Sequence, residues 1–261
     1  MKNLLLGSVA LAVLVAAGPA TAADMPVKAP IGAPPIVSIY NWNGFYVGGH
    51  AGWGFAHSDG TGNLLDPTNP VFIGEHGANS NSVSSDGILG GGQIGFNWMA
   101  WQNVVLGVEA DLSFANLKSN TANTTVDGTS FHYQIVDRFG TVRGRIGYAF
   151  NNWLIYGTGG FAWAHAYATS TQGPCGRGDL TCTMPFSPVP LGTVNSNTFN
   201  LTGWTAGGGV EVGITSKWTA RLEYLYMDYG SVTFTTPSFN RTHTNTTTTN
   251  IARLGVNYKF N

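Results

Sequence analysis

One short motif in the sequence has the spacing of a nucleotide-binding loop. The residues Gly90-Gly91-Gly92-Gln93-Ile94-Gly95 match the pattern G-x-G-x-x-G, whose glycines let the backbone approach a pyrophosphate at a helix N-terminus. Here the motif lies inside a strand-like pattern, and no helical pattern follows it. The glycines therefore indicate close packing within a sheet, and no dinucleotide site is predicted.

Histidine is the residue type that could hold a metal or a cofactor. The six histidines of the chain show no metal-ligand spacing. His57 and His76 fall in one predicted surface loop and could ligate haem there, although solvated loop histidines are commoner. The acidic residues look like partners for cations, so neither a Ser-His-Asp triad nor a catalytic carboxylate pair can be argued. We therefore expect no cofactor, no metal and no enzymatic activity.

Two cysteines, Cys175 and Cys182, lie close together in another predicted surface loop. In an exported protein they meet an oxidising compartment, so we expect a disulfide that stabilises the fold by about 2–3 kcal/mol. Between them stands the integrin-type tripeptide Arg177-Gly178-Asp179. Short tripeptides recur by chance, so adhesion to a host surface is only an alternative.

The composition indicates what kind of fold positions these residues. Charged residues make up 10% of the 261 residues, against roughly 25% in a soluble domain. Past the N-terminus no apolar run is long enough for a membrane-spanning helix, while aromatic residues reach 12%. This combination is typical of a transmembrane β-barrel, in which apolar residues occupy every second position of a strand. The formal charge of −1 argues against a nucleic-acid partner.

The N-terminus has the three parts of a secretory signal. Lys2 supplies the positive charge, residues 4–17 form a short apolar stretch, and Ala20-Thr21-Ala22 fits a cleavage site. We expect a signal peptide at residues 1–22, and the apolar run is too short for a membrane anchor. Residues 23–41 contain four prolines and form a predicted periplasmic leader. The barrel domain is predicted at 42–261.

Eight segments alternate apolar with small or polar residues, as strands with one apolar face do. The fifth segment is apolar on both faces, so its register is not fixed. The pattern predicts an all-β fold, an eight-stranded antiparallel up-and-down transmembrane barrel. The segments are 45–55, 88–98, 104–114, 141–148, 153–167, 204–214, 218–224 and 252–260.

The connections between these segments alternate strictly between long and short. Long polar connections are predicted at 57–86, 116–130, 168–198 and 230–249, and short ones at 100–103, 151–152 and 215–217. Outer-membrane barrels have short periplasmic turns and long extracellular loops. The alternation therefore predicts four long extracellular loops and both barrel termini in the periplasm.

Much of the sparse charge lies on the strand faces opposite the apolar ones. Lipid-facing charge would cost roughly 2–4 kcal/mol near the midplane, so these side chains are predicted to point into the lumen. We expect Arg143 and Arg145 to pair with Glu109 and Asp111, Arg221 to pair with Glu211, and Glu223 to pair with Arg253. The predicted lumen network comprises Glu109, Asp111, Arg143, Arg145, Glu211, Arg221, Glu223, Arg253 and Lys259.

Tryptophans collect at the predicted strand ends on the side of the short turns. Such aromatic residues form girdles at the membrane surface. The predicted girdle contains Trp42, Trp98, Trp101, Trp153 and Trp218.

Several stretches of the sequence resemble the alphaproteobacterial outer-membrane immunogenic protein family. The stretches are the opening segment 42–49, the later segments 139–148, 156–160 and 257–260, and the leader that begins Ala23-Asp24-Met25-Pro26. The resemblance implies a small porin-like surface barrel, in a family whose members are described as envelope proteins, surface antigens or haem binders. One departure is Asn261, since assembly machinery usually reads a final Phe.

The sequence thus favours a structural outer-membrane barrel and surface antigen that supports envelope integrity. In an eight-stranded barrel the side chains just fill the interior, so paired charges would plug the lumen. Two alternatives stay open: a narrow porin-like channel for ions or small solutes, and binding of haem or a host receptor by the surface loops. The expected partners are outer-membrane lipid, lipopolysaccharide and the barrel-assembly machinery, and the protein is expected to be a monomer.

Overall fold

A computed structural model describes residues 40–64, 79–118, 123–124, 129–172, 194–236 and 241–260 of the chain. Within these residues the fold contains eight long strands and one two-residue strand, Asn123–Thr124. The long strands are β1 (Gly44–Leu64), β2 (Asn79–Met99), β3 (Val104–Ala115), β4 (Thr129–Phe150), β5 (Trp153–Gln172), β6 (Val194–Gly213), β7 (Trp218–Thr236) and β8 (Arg241–Lys259). In this part of the chain no helix is long and apolar enough to cross a membrane.

The eight long strands form a closed antiparallel barrel. Each strand pairs with the one before it, and β1 also pairs with β8 over the register Tyr46↔Lys259 to Leu64↔Arg241. Closure satisfies the backbone hydrogen bonds that an open sheet edge would leave unpaired, which a membrane-spanning sheet requires. The predicted eight-stranded up-and-down barrel is confirmed.

Side chains alternate between the outside and the lumen as the sequence pattern predicts. On β1, Phe45 is 66% exposed and Phe55 is 54% exposed, whereas Tyr46 between them is 3% exposed. The structure also fixes the register of β5, the strand with two apolar faces: Leu154 and Tyr156 are buried in the lumen, and Ile155 faces outward. The outer surface is therefore apolar and the interior is occupied by side chains.

The outward apolar residues form a band of limited height. On β1 the band runs from Phe45 to Phe55, eleven residues whose ten steps rise roughly 33 Å along a strand. With a strand tilt near 45° the band is roughly 24 Å tall, close to the apolar height of outer-membrane barrels. The band thus matches the hydrocarbon layer of an outer membrane.

The predicted boundaries of the long connections were wrong. Residues 57–64 continue β1, 79–86 begin β2, 168–172 end β5, 194–198 begin β6, 230–236 end β7 and 241–249 begin β8. The barrel therefore continues well past the apolar band at the end where the long connections lie. The alternation of apolar and polar residues does not reveal these parts, because beyond the hydrocarbon layer the outer face is polar as well.

Candidate functional site in the barrel lumen

Eight charged side chains meet inside the lumen at the level of the apolar band. None of them is more than 7% exposed. The four carboxylates balance the four guanidinium groups, so the set carries no formal net charge. Its members are Glu109 and Asp111 on β3, Arg143 and Arg145 on β4, Glu211 on β6, Arg221 and Glu223 on β7, and Arg253 on β8.

Glycines on the same inward faces leave room for the arginine side chains. A Cβ atom added at Gly107 would lie 2.9 Å from Cγ of Arg145, which is directly opposite on β4. A Cβ atom at Gly255 would lie 3.0 Å from Nε of Arg221. The glycines of these strands therefore serve the packing of the lumen.

Glu109 is the centre of the network. Its carboxylate accepts hydrogen bonds from Nη2 of Arg143 at 2.5 Å, Nη1 of Arg221 at 2.5 Å and the hydroxyl of Tyr46 at 2.6 Å. Arg145 and Arg253 lie farther away, at 3.8 and 3.7 Å. One carboxylate therefore lies within 4 Å of all four arginines.

The other carboxylates link arginines from different strands. Asp111 lies 3.1 Å from both Arg143 and Arg253. Glu223 lies 2.6 Å from Arg253 and 3.2 Å from Arg143, and it accepts a hydrogen bond from the hydroxyl of Tyr156 at 2.9 Å. Such charge-assisted hydrogen bonds offset part of the free-energy cost of removing these ions from water.

The pairs expected for Arg143 with Glu109 and Asp111, and for Glu223 with Arg253, are present in the structure. Arg145 approaches Glu109 only at 3.8 Å, and its shorter contact is with Glu211. The pair of Arg221 with Glu211 was wrong. These two residues face each other in the β6–β7 register, yet Arg221 bonds to Glu109 across the lumen. Glu211 instead lies 2.8 Å from Arg145, because an arginine side chain is long enough to bypass its neighbour on the next strand.

Lys259 does not belong to the carboxylate network. It lies near the short-turn end of the lumen, where its Nζ donates a hydrogen bond to the backbone carbonyl of Asn41. Its ammonium group also lies 4.5 Å from the ring centroid of Tyr40, a cation–π distance. Lys259 therefore holds the segment that precedes β1.

Trp42 was wrongly assigned to the membrane-surface girdle. It is 0% exposed and packs inside the lumen with Val105, Ala149, Leu154 and Tyr156. Trp42 precedes the first strand, so strand alternation does not set its direction, and Gly44 turns the chain with a φ of 119°. The other four tryptophans of the predicted girdle are between 43% and 69% exposed, namely Trp98, Trp101, Trp153 and Trp218.

Tyr40 stacks on Trp42 with ring centroids 4.7 Å apart. Its hydroxyl donates a hydrogen bond to the carbonyl of Ser216 at 3.4 Å. Burial, followed by the nearby charge of Glu211, raises the pKa of Tyr40 to about 12. The phenol therefore stays protonated and remains a donor at any physiological pH.

An apolar layer fills the lumen on the other side of the charges. Sequence reasoning missed it, and the available signal was β5, whose inward face carries three alanines where other strands carry charge. The layer comprises Ala56, Leu89, Leu117, Phe139, Ala162, Ala164, Ala166, Leu201, Leu225, Met227, Tyr229 and Ile251.

His50 is a second lumen residue that the sequence did not single out. Its ring lies between the charges and the rim, with Nδ1 2.5 Å from Oε1 of Gln93 and Nε2 2.7 Å from Oγ of Ser113. Nη1 of Arg253 lies 3.5 Å from the same Nε2, and the only signal in the sequence was the inward position of His50 on β1. It extends the hydrogen-bonded layer around the network.

Of the candidate residues for surface binding, one lies within the described residues, namely His57. His57 lies on β1 and not in a loop. It is exposed, with Nδ1 3.0 Å from Oγ of Ser84 and Nε2 3.3 Å from Asp59. Among the described residues no three metal-binding side chains cluster. The remaining candidates lie outside the described residues: His76, Cys175, Arg177, Gly178, Asp179 and Cys182.

Comparisons with known proteins show what this chain is similar to. Residues 8–260 match the family model described as outer membrane protein beta-barrel domain. The chain is 32% identical to the 31 kDa outer-membrane immunogenic protein of Brucella melitensis over 100% of both chains. It is 31% identical to the 22 kDa outer membrane protein of Rhizobium leguminosarum, covering 87% of this chain and 82% of that protein. The crystal structure of OprG from Pseudomonas aeruginosa aligns with a TM-score of 0.40 and 14% identity, covering 85% of this chain and 99% of that one.

Proposed function

The chain belongs to the outer membrane protein beta-barrel family, and from this premise we propose that it is a non-enzymatic structural barrel with a sealed lumen. In this role it supports the envelope, and its long-connection end is displayed at the cell surface as an antigen. The relatives in Brucella are named immunogenic outer-membrane proteins, which fits a surface-displayed barrel.

The observation that carries the sealed lumen is the balanced and buried set of charges. The side chains of Arg143, Arg221 and Arg253 are 0% exposed, whereas charges that select ions in a channel face a water-filled path. Apolar side chains lie on both sides of the network, around Trp42 at one end and Leu225 at the other. A hydrated ion would have to break several charge-assisted bonds to pass, so we favour a plug over a channel.

Planar-bilayer recording tests the sealed lumen. We expect refolded protein that shows heat-modifiable migration on a detergent gel to give no stable single-channel steps, because the network leaves no hydrated path. An open porin inserted into the same bilayer is the positive control. Stable steps whose conductance shifts on Arg143→Ala or Glu109→Ala would establish a charge-lined channel in place of the plug.

Labelling of intact cells tests the orientation. In a Cys175→Ser, Cys182→Ser background, Thr61→Cys places a thiol on the exposed part of β1 above the apolar band, and Ser216→Cys places one in the exposed short turn between β6 and β7. We expect a membrane-impermeant maleimide to label Thr61→Cys in intact cells and Ser216→Cys only after lysis. The reverse pattern would mean that the long connections face the periplasm.

A further inference from the structure

Above the apolar band, one side of the barrel presents a continuous polar face. We call it the hydroxyl face and define it by fourteen outward residues of β1, β2, β7 and β8, none of them buried. They are His57, Asp59, Thr61, Asn63, Ser82, Ser84, Asp228, Ser231, Thr233, Thr235, Thr242, Thr244, Thr246 and Thr248. Ten of the fourteen carry a hydroxyl group, and none is Lys, Arg or a large apolar residue.

The strand register arranges these side chains in rows across the sheet. Ser82, Asp59, Thr246 and Ser231 form one row, and Thr61, Thr244 and Thr233 form the next. Within the rows, Oγ of Ser231 lies 2.7 Å from Oγ1 of Thr246, and Oγ1 of Thr233 lies 3.0 Å from Oγ1 of Thr244.

This arrangement fixes hydroxyl groups in place on a paired sheet. Two hydroxyls joined by one hydrogen bond still have a second O–H to donate and lone pairs to accept with. A ligand that carries many hydroxyls can therefore bind without ordering a loop first, which lowers the entropic cost of binding.

The height of the hydroxyl face indicates which ligand lies against it. From His57 to Asn63 the face rises roughly 20 Å along β1, or roughly 14 Å along the membrane normal at a tilt near 45°. A phospholipid headgroup layer is only about 5–8 Å thick. Because the face continues directly from the apolar band at Phe55, its upper part extends beyond the height of a phospholipid headgroup and is within reach of a taller glycolipid headgroup.

We propose that the hydroxyl face binds the neutral core sugars of the lipopolysaccharide that surrounds the barrel. The proposal rests on the orientation proposed above, which places this end of the barrel outside the cell. The face contains two carboxylates, Asp59 and Asp228, and no Lys or Arg, so it would repel phosphate groups. Its hydroxyl, amide and imidazole groups can hydrogen-bond to the hydroxyls of a sugar. The face thus recognises the sugar part of the glycolipid and leaves its phosphates to the solvent.

Binding of purified glycolipids to the folded protein in detergent micelles tests the proposal. The variant Thr233→Val, Thr244→Val, Thr246→Val removes three hydroxyls and keeps the side-chain shape and the strand preference. Thr198→Val with Thr202→Val, two exposed threonines of β6 outside the face, is the matched control. The probes are fluorescently labelled rough-form lipopolysaccharide, which carries core sugars, and labelled lipid A, which does not.

We expect the wild-type protein to bind the rough-form glycolipid at least tenfold more tightly than lipid A. The triple variant should lose at least fivefold in affinity for the rough form, and the β6 control should stay within twofold of wild type. Equal binding of both probes by the wild type, or equal binding of the rough form by the triple variant, would overturn the proposal. Binding in micelles does not depend on orientation or conductance, so its failure is distinguishable from failure of the proposed function.

Discussion

Replacing Glu109 by alanine should lower the free energy of unfolding by about 3–5 kcal/mol, the usual effect of removing one partner of a buried ion pair. Glu109 accepts hydrogen bonds from Arg143, Arg221 and Tyr46. Its loss leaves four buried guanidinium groups with three carboxylates. Thermal unfolding followed by the gel shift, with urea unfolding in detergent micelles for the free energy, measures the effect.

Three further variants separate the charge of Glu109 from its bulk. Glu109→Gln keeps the shape but not the charge, and we expect it to lose most of what Glu109→Ala loses. Adding Arg143→Ala to Glu109→Ala restores neutrality and should recover part of the loss, because the two residues share one network. Asp59→Ala, at an exposed contact in which Nε2 of His57 lies 3.3 Å from the carboxylate, should change stability by at most about 1 kcal/mol. If the losses at Glu109 and Arg143 simply add, the two charges face water and the lumen is not plugged.

Trp42→Ala should be comparably destabilising, by about 3–5 kcal/mol, because it removes a fully buried indole from the short-turn end of the lumen. The cavity would separate the contacts among Val105, Ala149 and Leu154. Urea unfolding in detergent micelles measures the loss. The matched control is Trp101→Ala, since Trp101 is 69% exposed and belongs to the outer girdle.

The stability losses of Trp42→Ala and Trp101→Ala distinguish a lumen residue from a surface residue. If Trp42→Ala and Trp101→Ala lose stability equally, Trp42 contributes only as a surface aromatic and does not close the lumen. Trp42→Phe keeps an aromatic ring in the same place and should recover more than half of the loss. A silent Trp42→Ala would show that the segment before β1 leaves the lumen in solution.

The direction of each strand side chain could be predicted from the sequence because a strand has a period of two. Once Val108 and Leu112 are placed against lipid, Glu109 and Asp111 must point inward. The same argument placed Arg143 and Arg253 correctly. Strand alternation is therefore sufficient to identify the charged residues of the lumen.

The partners of these charges could not be predicted from strand order alone. Arg221 and Glu211 are opposite in register, but both side chains reach across a narrow lumen to other strands. Trp42 escaped prediction for a different reason, since it precedes the first paired residue and no periodicity governs it. The parts of the strands beyond the apolar band could not be predicted either. There the outward residues are polar, so apolar and polar residues do not alternate along the strand.

The cross-lumen ion pairs have a consequence for the order in which the barrel can be assembled. Strands β1–β4 contribute Glu109, Asp111, Arg143 and Arg145, and β5–β8 contribute Glu211, Arg221, Glu223 and Arg253, so the network charges that each half contributes sum to zero. Five pairs nevertheless join the halves: Arg145–Glu211 at 2.8 Å, Arg143–Glu223 at 3.2 Å, Arg221–Glu109 at 2.5 Å, Arg253–Asp111 at 3.1 Å and Arg253–Glu109 at 3.7 Å. The network residues of each half can thus enter the bilayer without net charge. They gain partners from the other half, beside internal pairs such as Arg143–Glu109 and Arg253–Glu223, only when β1 meets β8. Closure of the barrel by β1 and β8, and not the addition of any single hairpin, is then the step after which the strands no longer separate.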